Sequence, residues 1–181
     1  MTLFVILLIV FIAFGIGIGY LAYVVKTEKK DILPLLTILI KYGLAIFIVL
    51  SLILTIVSLF VMTSEIIMIA AIIKQVIDTI YYVIIYKLST KLLDNLNKKD
   101  VFLMENSTYI KQIGLNFLYL SLMEIVVGLF LGWITFSSTG TFNMATNNTI
   151  YIYVIVALVF EVIALILRKA TLIYEENKLT I

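Results

Sequence analysis

The sequence predicts an all-α fold, a polytopic helical transmembrane bundle, on three observations. Of 181 residues, 64% are hydrophobic and 13% charged, whereas an ordinary soluble domain has roughly 45–50% apolar and about 25% charged residues. Nearly uncharged apolar runs recur along the chain, each close to the ~20 residues that cross a hydrocarbon core as a helix. These runs lack the period-two alternation of an outer-membrane barrel, so only helices can satisfy the backbone in lipid.

Five spans are expected, within one membrane domain covering 1–181. The first, 2–25, carries no charge. It lacks the basic start and small-residue cleavage site of a signal peptide, so it reads as a retained helix. Next, Asp31 is placed to cap a helix and Pro34 suits a first turn. Residues 32–40 are read as an interfacial helix, because the alternative, a second span beginning there, would bury Lys41. The second span is 42–64, between Lys41 and Glu65. The third, 66–88, is interrupted by Lys74 and Asp78. Leu88, Leu92, Leu93 and Leu96 continue at helical spacing, so this helix should run on past the membrane. Lys98-Lys99-Asp100 breaks the pattern, and Glu105-Asn-Ser-Thr108 can start the next helix. Residues 87–114 thus form an elbow between spans. The fourth span, 112–136, holds Glu124; the fifth, 150–168, holds Glu161 and leads into a tail at 168–181.

Basic residues set the orientation. All but Lys74 fall in three segments: Lys26 to Lys41, Lys87 to Lys111, and Arg168 to Lys178. With five spans these lie on one side, which places the N-terminus outside and the elbow and tail in the cytoplasm. The expected location is the cell membrane, in a bacterium.

The absence of Cys and His excludes thiol nucleophiles, disulfides, imidazole bases and the usual zinc clusters. No cofactor and no enzymatic activity are expected. A net charge of +2 is too small to indicate direct nucleic-acid binding.

Charges inside the spans are the first candidate site. A central charge costs at least about 2.5–3.5 kcal/mol, so such groups turn inward and pair. Counted inward from the outer ends at about 1.5 Å per residue, Lys74 lies about 12 Å deep and Asp78 about 18 Å. Glu124 and Glu161 each lie about 16 Å deep by the same count. The four are therefore expected to form one cluster near the midplane, with the two glutamates approaching one another or Lys74/Asp78. Carboxylates in contact there would share a proton. Polar contacts that merely hold helices together are the plainer alternative. Gly15 with Gly19, and Gly128 with Gly132, have the spacing that lets helix backbones approach closely, between spans or between copies in a homo-oligomer.

Two stretches carry a resemblance. Leu92-Leu93-Asp94-Asn95-Leu96, followed by Phe102, Glu105-Asn106, Ile110-Lys111 and Ile113-Gly114, resembles a signature of bacterial membrane proteins catalogued as domain of unknown function 2975. The tail Glu175-Glu176-Asn177-Lys178-Leu179-Thr180-Ile181 is similar to that family's ending. The resemblance covers roughly 42–181 and implies a four-span core, so that span one is an addition. Asp100-Val101 stands where Gly and Pro are common in the family, and Lys178 where Asp is common. Genes of the family often neighbour small helix-turn-helix regulators, which implies a membrane partner for a cytoplasmic transcription factor. Leu93, Asn95, Phe102, Glu105, Asn106, Glu175, Glu176 and Asn177 are then the candidate docking residues. An immunity protein against a membrane-active peptide, and a small proton- or ion-coupled transporter, are the alternative readings.

Overall fold

Four α-helices joined by short connections make up the described part of the chain. In the computed structural model, residues 32–61, 65–142 and 148–179 are described, together with Gly19 and Tyr23. The helices are α1 (Ile32–Val61), α2 (Glu65–Asn97), α3 (Met104–Thr139) and α4 (Thr149–Leu179). Each contains a stretch long and apolar enough to cross a membrane: Leu36–Val57, Met68–Asn97, Met104–Thr139 and Thr149–Lys178. There is no strand among the described residues. This is the architecture of a multi-pass helical membrane protein. The expected span at 2–25 falls outside the described residues except for Gly19 and Tyr23, both helical.

Contacts divide the chain into two compact units, Met1–Ile46 and Phe47–Ile181. In the first, α1 begins at Ile32 with Pro34 in its opening turn, where the missing N–H has no carbonyl to serve. The helix then runs unbroken past Lys41. A separate interfacial helix at 32–40 is therefore not what forms. Thirty residues make a helix about 45 Å long, and this exceeds a ~30 Å hydrocarbon core by several turns. One continuous helix can thus cross the core and still carry Lys41 toward its edge. Gly19 is exposed, and a Cβ placed there would meet nothing within 4 Å. Within the chain Gly19 makes no close helix approach, and Gly15 lies outside the described residues.

In the second unit the helices turn their apolar faces outward. Along α2, Ile66, Ile69, Ile73, Val76, Ile80 and Ile84 form an exposed stripe at helical spacing. Buried positions include Ser51, Asp78, Asn106, Asn116, Ser121 and Thr171. A water-soluble helix has the opposite arrangement, so lipid is the solvent for the stripe. Inside, Ile85, Ile113 and Leu120 form the apolar core, surrounded by Tyr81, Tyr82, Leu88, Leu92, Phe117, Tyr153 and Phe160. Buried hydroxyls and amides are satisfied mostly by their own helix. Asn116 donates to the Gln112 carbonyl and Thr171 to that of Leu167. Among the described residues no buried side-chain nitrogen or oxygen lacks a partner.

The helix ends have local causes. At the elbow, α2 closes with Lys99 in the left-handed region at φ 66°, while the Asp100 amide donates back to the Asn95 carbonyl at 3.1 Å. Glu105 in the first turn of α3 complements the positive end of that helix. Gly140, at φ 71°, closes α3 with a 2.8 Å bond from its amide to the Phe136 carbonyl.

Candidate functional site

On the inward face of α2, Lys74 and Asp78 are one turn apart. The Lys74 ammonium lies 2.6 Å from Asp78 Oδ2 and 2.8 Å from Glu124 Oε1 on α3. The three side chains are 20%, 7% and 15% exposed, which makes this an interior triad and not a surface ion pair. It is antiparallel register that brings them together. Asn95 meets Asn106 beside the elbow, Tyr81 stacks on Tyr119, and the same alignment carried further sets Lys74 against Glu124.

A layer of neutral polar groups adjoins the triad, and sequence reasoning missed it. Ser51 of α1 shares a hydrogen bond with Thr79 at 2.8 Å and accepts another from Gln75 Nε2 at 3.2 Å. One turn beyond Asp78, the hydroxyls of Tyr82 and Tyr153 are 2.9 Å apart, joining α2 to α4. Every helix of this unit therefore contributes a polar group at this level. The signal in the sequence was that Gln75 and Thr79 directly follow Lys74 and Asp78, which makes four polar residues in six on an Ile-rich helix. The tyrosines gave no such signal, because a Tyr near a membrane reads equally well as an interfacial anchor.

Glu161 is not part of this cluster. Its carboxylate faces Lys111 at 3.7 Å, with both side chains substantially exposed. The expectation that it approaches Glu124 or Lys74/Asp78 is corrected by helix register. A Cβ on Gly114 would lie 3.0 Å from the Phe160 Cβ, 3.1 Å from the Ala157 carbonyl and 3.7 Å from the Glu161 amide. Glu161 is thus level with Gly114, some ten residues or about 15 Å along α3 from Glu124. Gly114 is also where the structure shows a close helix approach. Gly128 and Gly132 are both buried on α3, on the same side as Glu124.

The triad's chemistry is limited and definite. One ammonium serves two carboxylates, so the fully ionised group carries one net negative charge. Among the described residues no group of three or more His, Cys, Asp or Glu is arranged to hold a metal ion.

The second constellation is the elbow. Asn106 is completely buried. Its Nδ2 donates to the carbonyls of Asp100 at 2.7 Å and Val101 at 3.0 Å, and its Oδ1 accepts from Asn95 Nδ2 at 2.8 Å. Leu93 is buried too. As candidate docking residues Leu93 and Asn106 are therefore misplaced: they face inward and build the turn, and Asn95 helps them. Glu105 accepts a hydrogen bond from the Tyr109 hydroxyl at 3.2 Å. Phe102 is 41% exposed and stacks on Tyr174 of α4, with ring centroids 4.9 Å apart. Glu175, Glu176 and Asn177 are exposed on the last turns of α4, which stays helical to Leu179.

No known family, curated protein or solved structure matches this chain.

Proposed function

We propose that this is a non-enzymatic protein of the bacterial cell membrane that docks a cytoplasmic helix-turn-helix regulator on its elbow and the end of α4. The observation that carries the reading is the stack of Phe102 on Tyr174, which joins the elbow and the α4 end into one surface. Exposed Val101 and Leu103 flank Phe102 in the chain, with exposed Lys98 and Lys99 beside them. The stack lies about 30 Å from the Lys74–Glu124 layer, measured along α3 and α4, at the lysine-bearing end of the bundle. Beside lysines that stay in water, exposed apolar groups drawn together mark a protein contact. The sidedness follows from the lysine-rich loops, with five spans and the N-terminus outside. The class of partner rests on the resemblance of the elbow and tail motifs.

The test is co-purification of the tagged protein from crosslinked native membranes, beside a Phe102→Asp/Tyr174→Ser variant. A DNA-binding regulator captured by the wild type and lost from the variant is the expected result. Capture of no cytoplasmic protein, with an unchanged transcript profile after gene deletion, would overturn the reading.

A further inference from the structure

The intramembrane triad has a charge that no group among the described residues around it balances. Lys74 is bonded to Asp78 and Glu124 simultaneously, so its ammonium offsets one carboxylate and leaves the other in excess. The groups packed nearby are Ser51 from α1, Gln75, Thr79 and Tyr82 from α2, and Tyr153 from α4. None of these can carry a positive charge near neutral pH. On the same stretch of α3 the next cation is Lys111, some 13 residues or about 20 Å from Glu124, and it faces Glu161. An unbalanced charge held in a low-dielectric interior is disfavoured far more than the same charge in water. The site is not sealed by protein, since the Lys74 and Glu124 side chains keep 20% and 15% of their surface open.

We infer that Lys74, Asp78 and Glu124 together bind one exchangeable proton, shared by the two carboxyl groups and completing an electroneutral site between α2 and α3. With that proton the site holds one ammonium, one carboxylate and one carboxylic acid. Lys74 bridges the acid and the carboxylate, 2.6 Å from one and 2.8 Å from the other. The proton belongs to the pair and not to either residue, because each carboxyl group's ionisation depends on the other's. Release of the proton leaves a net negative charge that weakens the attachment of α3 to α2. Protonation and the packing of these two helices are thereby coupled.

The experiment is infrared spectroscopy of the full-length protein in lipid nanodiscs, following the carbonyl stretch of protonated carboxyl groups as pH is raised from mildly acidic to mildly alkaline. The wild type should show one such band near neutral pH, lost on alkalinisation. Asp78→Asn and Glu124→Gln should each lose it, since either leaves one carboxylate matched to Lys74. Lys74→Met should retain it to higher pH, because the cation that favours ionisation is gone. Glu161→Gln should leave it unchanged. A wild-type protein with no such band overturns the inference, whatever the variants do. So does a band that survives in both Asp78→Asn and Glu124→Gln. Sodium-dependent stabilisation without the band would assign the balancing charge to a bound cation, and would overturn it equally.

Discussion

Replacing Asn106 by Ala should destabilise the elbow far more than replacing Asn116, although both are buried asparagines on α3. Asn106 makes three hydrogen bonds away from its own helical turn, to Asn95, Asp100 and Val101. Asn116 donates one, to the carbonyl four residues back in its own helix. At about 1 kcal/mol net per hydrogen bond, Asn106→Ala removes about 3 kcal/mol and Asn116→Ala about 1 kcal/mol. The Asp100 and Val101 carbonyls belong to exposed residues, so water can recover part of that loss. Asn95 is half-buried, and its amide is the group left worst served. Asn106→Asp sharpens the comparison, since it keeps the acceptor for Asn95 but aims a carboxylate at two carbonyl oxygens. It should be no better than Ala. Equilibrium unfolding in mixed micelles measures the free energies. Amide exchange over 98–106 should accelerate in Asn106→Ala and stay unchanged in Asn116→Ala. Equal stability of the two Ala variants, or unchanged exchange at the turn, would show that Asn106 does not hold the elbow.

Gly114→Ala should destabilise by about 1 kcal/mol in the same assay. Its Cβ would press on a backbone carbonyl at 3.1 Å, an overpacking cost of about 1–3 kcal/mol, offset by up to about 1 kcal/mol of helix propensity. Gly114→Leu should prevent α3 and α4 from closing, seen as loss of the Phe102–Tyr174 proximity by crosslinking of cysteines placed there. Lys99→Gly should stabilise by about 1 kcal/mol, because only Gly adopts the left-handed backbone at φ 66° without steric cost; a destabilised variant would mean the turn is held otherwise. Single cysteines at Ser138 and Asn97, in a chain with none of its own, should label from opposite sides of the membrane, Ser138 from outside. Labelling of both from one side would overturn the five-span orientation.

The helices that cross the membrane were legible because lipid imposes one rule, a long run without charge, and the sequence displays it openly. The continuation of α2 as far as Asn97 was legible too, from the Leu88 to Leu96 spacing. What failed was the break assigned at Lys41. It came from treating a charged residue as a helix boundary, when a helix longer than the hydrocarbon core can carry the charge out at its end. Leu93 and Asn106 were misread as docking residues for a different reason. Polar residues in a turn can recognise a partner or build the turn, and nothing in the one-dimensional string separates these uses. Asn106 closes its own loop, while its apolar neighbours Val101, Phe102 and Leu103 stay exposed.

The fate of the two glutamates shows where depth counting stops. Glu124 and Glu161 lie equally far from the outer ends of their apolar runs, so they look like partners if both helices start flush. They do not start flush. Gly114 lies against Ala157 and Phe160, and Phe102 against Tyr174, which puts the first turn of α4 level with the Glu124 turn of α3. The closing turns of α3, up to Thr139, extend past it. A charge slides with its helix, and one offset of a dozen residues moves Glu161 out of the polar layer toward Lys111. The two glutamates end in different electrostatic worlds. The Lys111–Glu161 pair has side chains 56% and 40% exposed, and an exposed ion pair contributes about 0–1 kcal/mol. Glu124, at 15%, cannot lose Lys74 without leaving two carboxyl groups facing each other in the interior. Lys111→Met should therefore be nearly silent in unfolding assays, whereas Lys74→Met should be tolerated only where both carboxyl groups are protonated. Its stability should fall as pH rises, in contrast to a flat profile for Lys111→Met. A Lys74→Met variant as stable as wild type at alkaline pH would show that the triad's charges are not confined as the structure places them.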